Sequence, residues 1–377
     1  MVRVKLPPWS GRVVAAVAAV VVLVVFGASW IASNQIRNDL LVPRPHQDGY
    51  DLEVLDIAGG RIVLPRTETS AKDGLWGVES AEAYGQAGAI VRIGEDDVER
   101  TITTLEGELS PGDRVRLDVD AYPGDPKSAH GIGFEDVRVP GERGPQPAWL
   151  IEGRRTTWFV FAHGSGVDRR SEALRLIPTL VEQGFPVVVA TYRNDVAAPT
   201  STDGLRRWGL EEWRDLEAAM VTAERKGAED FVIVGHGLGA EVVAMLLHES
   251  DFSGRVRGVV LDSPVLDFEE LARTTSSWPE PIGWLGRRLA AIRFGVEWSY
   301  LDQVARADEF DVPILILHGG DDLVAAYASS AAFAAALPGL VELVRVEQGG
   351  HTDLWNTDSP RYEDQVLESV ARWVESE

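Results

Sequence analysis

The stretch Asp230-Phe231-Val232-Ile233-Val234-Gly235-His236-Gly237-Leu238-Gly239-Ala240-Glu241-Val242-Val243-Ala244-Met245-Leu246-Leu247 changes character twice. Phe231 to Val234 form a short apolar, mostly β-branched run suited to a buried parallel strand. Val242, Val243, Leu246 and Leu247 recur at the spacing of one helix face. Between them Gly235, Gly237 and Gly239 alternate with other residues, so the stretch predicts a strand, a sharp turn and a helix.

Working outward, the same alternation fills the chain from residue 148 to 377. Apolar runs at 158–162, 186–191, 231–234, 256–261, 313–317 and 341–346 are separated by helical patterns such as 171–183, 210–226 and 327–337. This predicts an α/β fold with a mostly parallel, doubly wound sheet, in which chemistry gathers beyond the carboxyl ends of the strands. Those ends carry His163-Gly164-Ser165-Gly166, Thr191-Tyr192-Arg193-Asn194-Asp195, His318-Gly319-Gly320-Asp321-Asp322 and Gly349-Gly350-His351-Thr352-Asp353.

The spacing around Gly237 resembles the G-x-S-x-G nucleophile elbow of the α/β-hydrolase superfamily. His163-Gly164 resembles that superfamily's oxyanion loop, His318-Gly319-x-x-Asp322 its acid segment and Gly349-x-His351 its histidine loop, all in the required chain order. Within the superfamily, residues 150–377 are similar to bacterial serine hydrolases of the esterase and serine-aminopeptidase-like branches, and the N-terminal part to membrane-anchored members. The resemblance implies that Asp322 orients His351, with Asp321 beside it. It also implies that backbone N–H groups of Gly164, Ser165 and Leu238 form an oxyanion hole, and that a cap is inserted at about 265–305. Trp278, Trp284 and Trp298 of that segment either wall an apolar acyl pocket or pack the cap onto the core. His163 reads as a packing residue of its loop, and residues 191–195 either face the site or shape a turn.

Gly237 stands where the superfamily places its nucleophilic serine, and no shift of frame by one or two residues brings Ser, Cys or Asp to the tip. Glycine has no side chain to attack a carbonyl. Removing the nucleophile of a Ser-His-Asp unit lowers turnover on the order of a millionfold. Three readings follow. The domain is a degenerate hydrolase kept as a binding or scaffolding module, or it is an active serine-type hydrolase of an ester or peptide with a displaced nucleophile. Ser165 is the candidate surrogate, and water activated by His351 is a variant of this second reading. In the third reading the β-rich segment has a structural role and the hydrolase domain is its passive partner.

Composition narrows the partners. Lys and Arg number 36 against 59 Asp and Glu, a net charge of −23, which argues against nucleic acid. The absence of cysteine excludes disulfides and thiolate metal sites. There is no H-E-x-x-H, no P-loop and no G-x-G-x-x-G, so no metal and no cofactor are expected; the resemblance implies a small acyl ester or peptide as the ligand class.

Val13 to Ala32 contain no charged residue, and eleven of the twenty positions are Val, Leu, Ile or Phe. As a helix they would span roughly 30 Å, one hydrocarbon core. Arg3, Lys5 and Arg12 precede the run without an acid, so residues 1–12 are expected in the cytoplasm, 13–32 as a transmembrane signal anchor, and the rest outside the cell membrane. A cleaved signal peptide fits less well, because its apolar core is shorter and no A-x-A site closes this run. Residues 33–50 read as a linker, and 51–147, with short strand-like runs punctuated by turn residues, as a β-rich accessory domain. Trp76, Tyr84 and Tyr122 are assigned to packing there.

Overall fold

In the computed structural model the described residues are 10–45, 49–167 and 169–374; the expected cytoplasmic segment lies mostly outside them. Helix α1 (Ser10–Ile36) carries the apolar run, and the span Arg12–Leu41 is long and apolar enough to cross a membrane. The helix does not stop at Ala32. It continues to Ile36 and through a π-helical turn, Arg37–Leu41, so the first half of the segment expected as a linker, 33–50, is instead helix. The reason is a second apolar stripe: Ala32, Ile36 and Leu41 are buried, while Asn38 and Asp39 face out.

Strands β1 (Leu52–Glu53), β2 (Asp56–Ala58), β3 (Arg61–Pro65), β4 (Trp76–Glu79), β5 (Tyr84–Ile93), β6 (Asp97–Glu106) and β7 (Arg114–Asp118) form an antiparallel sheet in the order β1-β7-β4-β5-β6-β3-β2. Ile62, Leu64, Val78, Ala87 and Val115 fill its core. A short helix, α2 (Pro126–His130), begins with a capping box in which Asp125 accepts from Lys127 and Ser128 N–H.

The next two strands, β8 (Glu135–Gly141) and β9 (Gly144–Ile151), belong to the second sheet. The accessory domain therefore ends before Glu135 and not at 147, since local sequence does not show which sheet receives a strand. The second sheet adds β10 (Thr157–Ala162), β11 (Val187–Ala190), β12 (Asp230–His236), β13 (Val256–Asp262), β14 (Ile314–Gly319) and β15 (Val341–Val346), in the order β15-β14-β13-β12-β10-β11-β9-β8. The six strands β10 to β15 are mutually parallel, and β9 joins β11 antiparallel.

Helices α3 (Ile177–Glu182), α4 (Trp213–Arg225), α5 (Gly239–Glu249), α6 (Phe268–Thr274), α7 (Ile282–Phe294), α8 (Tyr327–Ala336), α9 (Leu354–Thr357) and α10 (Ser359–Val374) cover it on both faces. One core gathers the end of α1, α4, α5 and the α6–α7 cap, and the other gathers α3 and α10. Both faces of the central strands are buried, which explains their unbroken apolar runs.

Candidate active site

The turn from β12 to α5 is built from its glycines. A Cβ on Gly239 would collide with the carbonyls of Ala162 and His163, and one on Gly235 would press on Val243 and Leu261. Gly237 lies at φ +51°, the left-handed region where glycine is unstrained. A Cβ built there would stand 3.0 Å from His351 Nε2. The elbow therefore aims its tip at the histidine although the tip has no side chain.

His351 follows β15 and Asp322 follows β14, and His351 Nδ1 lies 2.9 Å from Asp322 Oδ2. A carboxylate only accepts, so Nδ1 carries the proton and the Nε2 lone pair faces Gly237. The other carboxylate oxygen accepts N–H bonds from Val324 and Ala325, each at 2.8 Å. Burial alone would raise the Asp322 carboxyl, but the bonds from His318, His351 and Ala325 outweigh it and hold the group well below the usual carboxylate range. Asp321 is exposed beside it and takes no part in the pair.

The expected oxyanion loop is only partly available. Gly164 N–H donates to the buried Glu172 Oε2 at 2.8 Å, which corrects the expectation for that residue: its donor is already occupied. Among the described residues, Ser165 N–H and Leu238 N–H have no acceptor. The loop is held from behind by Arg206, which donates to the carbonyls of Ser165 (2.6 Å) and Gly166 (3.2 Å) and pairs with Asp195. Asp195 also bonds His163 Nε2 at 2.7 Å, and that ring stacks on Tyr192, so His163 and residues 191–195 are loop structure. The Ser165 side chain is exposed, and no described hydrogen bond joins it to His351.

Two acids flank the site; Glu172 escapes sequence reasoning, whereas Glu241 is expected from its spacing to crowd or oppose an oxyanion and does not. Glu172, on a 3₁₀ turn at Arg169–Arg175, lies 3.4 Å from His236 Nδ1 and pairs with Arg169. Burial raises its carboxyl, but Arg169 and His236 outweigh this and leave it well below the ordinary range. The sole hint in the sequence is Arg169-x-x-Glu172 after the His-Gly loop. Glu241, the acid one turn beyond the tip, points away under the cap, where Gln303 Nε2 donates to its Oε2 at 2.7 Å; burial holds this carboxyl well above the ordinary range.

The histidine loop is gripped by the accessory domain. Lys72 pairs with Asp353, whose other oxygen accepts from Gly350 N–H at 2.7 Å. Leu75 N–H donates to Asn356 O at 2.9 Å, and Asn356 Nδ2 donates back to Leu75 O at 2.7 Å. The Lys72 segment is itself pinned by the fully buried Arg100, which donates to the carbonyls of Ser70 (3.0 Å), Lys72 (2.6 Å), Gly74 (2.6 Å) and Gly88 (2.9 Å). Burial lowers that guanidinium to about 10, so it remains charged at neutral pH.

Beside Asp322 a cavity of about 230 Å³ opens between α6 and the loop after β14, lined by Val265, Leu266, Leu271, Val324 and Ala325. Of the expected cap tryptophans, Trp298 is buried against Phe268 and its Nε1 donates to Arg287 O, which is packing; Trp278 bonds Gln35, and Trp284 is half exposed. None of the three lines this cavity. Among the described residues no group of three or more His, Asp or Glu is placed to hold a metal ion.

Comparisons with known proteins agree with this geometry. An alpha/beta hydrolase family model matches residues 159–363, and a model for a domain of unknown function matches residues 53–118. The esterase Pf2001 of Pyrococcus furiosus superposes with a TM-score of 0.54 at 18% identity, over 67% of this chain and 96% of that one. A puromycin hydrolase mutant superposes with a TM-score of 0.55 at 18% identity, over 85% of this chain and 47% of that one. No curated protein sequence matches the chain significantly. With the family model spanning more than half of its length, the chain belongs to the alpha/beta hydrolase family.

Proposed function

We propose that this protein is a membrane-anchored hydrolase-fold binding module that has lost its nucleophile and kept its acid–histidine pair. The observation that carries the reading is the 3.0 Å between His351 Nε2 and a Cβ position that residue 237 leaves empty. A general base poised at a missing hydroxyl can hold a polar group of a ligand but cannot open a covalent acyl-enzyme path. Leu238 and Ser165 N–H groups without acceptors, beside the apolar cavity at Asp322, suit a carbonyl attached to a small apolar group. A small acyl ester or peptide is the ligand class, in keeping with the esterase and puromycin hydrolase likeness. The basic N-terminal flank places the domain on the extracytoplasmic side of the cell membrane.

The test combines a fluorophosphonate probe with turnover of p-nitrophenyl acetate by the wild type, Ser165→Ala and His351→Ala. The expected result is no label and background turnover in all three. Label mapped to Ser165, with activity lost in Ser165→Ala, would replace this reading with an active hydrolase using a displaced nucleophile. Wild-type activity lost only in His351→Ala would point instead to activated water.

A further inference from the structure

We infer that the cap helix α7 rests on the surface of the lipid bilayer, with Trp284, Arg288 and Ile292 in the headgroup layer of the leaflet from which α1 emerges. The inference rests on α1 being a membrane span. It begins with the sequence of α7, Ile-Gly-Trp-Leu-Gly-Arg-Arg-Leu-Ala-Ala-Ile-Arg-Phe, which holds three arginines and no acid in a chain of net charge −23. Basic residues with Trp, Leu, Ile and Phe on a short helix are the composition of an interfacial helix.

One stripe of α7 faces α1. Gly283, Gly286 and Ala290 are buried, and a Cβ on Gly286 would stand 2.8 Å from the Ala32 Cβ, next to Ser29 O and Ser33 N. Such small-residue contact is how helices approach closely at a membrane. Arg293 lies over the Trp30 ring at 3.6 Å from its centroid, donates to Asn34 Oδ1 at 2.8 Å and bonds Ser33. These partners fix the level of α7 at residues 29–34 of α1, where the apolar run gives way to Ser33-Asn34-Gln35. An aromatic ring covered by a guanidinium at that level suits the membrane–water boundary.

Another stripe, at i, i+4 and i+8, faces outward among the described residues: Trp284 is 50% exposed and Ile292 is 83% exposed, with exposed Arg288 between them. It belongs to the same short helix whose other face packs on α1 at residues 29–34, next to the end of the apolar run. Arg287 and Arg288 pair with Glu269, and Arg287 also with Glu280, so lipid contact rests mainly on the apolar groups and not on attraction to anionic lipid. A soluble partner protein would have to share this face with the leaflet, which is why the bilayer is the occupant assigned.

The chain has no cysteine, so a single introduced one is a unique attachment point. Full-length Ile292→Cys, Val22→Cys and Gln183→Cys, each carrying an environment-sensitive fluorophore, would be placed in phosphatidylcholine nanodiscs. Val22 reports on the span, and Gln183, at the end of α3 on the opposite face of the sheet, is the control. The expected result is a blue shift, loss of fluorescence with headgroup-spin-labelled phosphatidylcholine, and loss of iodide quenching at 292 relative to 183. If the 22 label is in lipid while the 292 label quenches with iodide like the control, the inference is overturned and the anchor stands. A 22 label in water removes the anchor and the inference together. A 292 label shielded from both iodide and spin-labelled lipid would overturn it in favour of a protein cover.

Discussion

Lys72 of the accessory domain pairs with Asp353, two residues beyond His351, and both side chains are largely buried. The histidine loop is thus braced by a segment 281 positions away, and the brace is itself tied down by Arg100. Removing the two supports should have unequal effects. Lys72→Ala breaks a single ion pair at the rim of the interface, where both side chains keep some contact with solvent, and is expected to cost about 1 kcal/mol. Arg100→Met removes the donor from four carbonyls, that of Ser70 buried and the other three partly so, and is expected to cost about 3 kcal/mol. Urea unfolding of the two variants checks the order, and equal losses would show that Arg100 does not govern the segment.

The elbow permits a repair. Gly237→Ser should create p-nitrophenyl esterase activity that disappears when His351→Ala is added, recovering part of the roughly millionfold that the missing nucleophile represents. It should also destabilise the domain by about 1–2 kcal/mol, because a side chain at φ +51° is strained. The 3.0 Å approach is tight, so His351 must yield by a few tenths of an ångström to admit the hydroxyl. Gly237→Ala is the control, with the same strain and no activity. Equal rates in all variants would mean that the pair no longer relays a proton.

At the domain interface, burial and the nearby Asp120 raise the Asp118 carboxyl from 3.8 to about 6. The folded state then holds a proton that the unfolded chain releases, so this contribution is intact below about pH 4 and is lost as pH rises through 6. Asp118→Asn keeps an acceptor for Tyr84 O–H, which bonds Asp118 at 2.6 Å, and abolishes the titration. Its stability relative to wild type should improve by on the order of 1–3 kcal/mol between pH 4 and 7.5. Parallel pH profiles for the two proteins would refute this.

The contact between α1 and α7 lends itself to a size swap. Gly286→Ala gains helix propensity but drives a methyl into Ala32, whereas Gly286→Ala with Ala32→Gly restores the space. A double-mutant cycle in detergent should give a coupling of about 1–2 kcal/mol. Additive effects would mean that the two helices do not pack in this register.

The six parallel strands, the elbow and the Asp322–His351 pair were legible in the chain because each is written locally, as an apolar run followed by its own loop. What was not legible depends on distant partners. Strands β8 and β9 do not stand out in the sequence, and nothing in residues 135–151 names β11 as the neighbour. Ile36 and Leu41 look like isolated apolar residues among Asn and Pro until Trp208 and Arg206 bond the carbonyls of Leu40 and Leu41, at 2.7 and 2.8 Å. Gly164 looks like an oxyanion donor because the motif does not include Glu172, eight residues on, which accepts its N–H bond.

The ordered continuation of α1 has a geometric consequence. A domain hung on a flexible tether explores a volume that grows with tether length. Here Leu41 O accepts from Arg206 N–H, and the Arg206 guanidinium in turn donates to Ser165 O, so the helix and the oxyanion loop are linked through one residue. The helix acts as a ruler: it sets the height and bearing of the site, and residues inserted after Pro45 would add slack without adding reach.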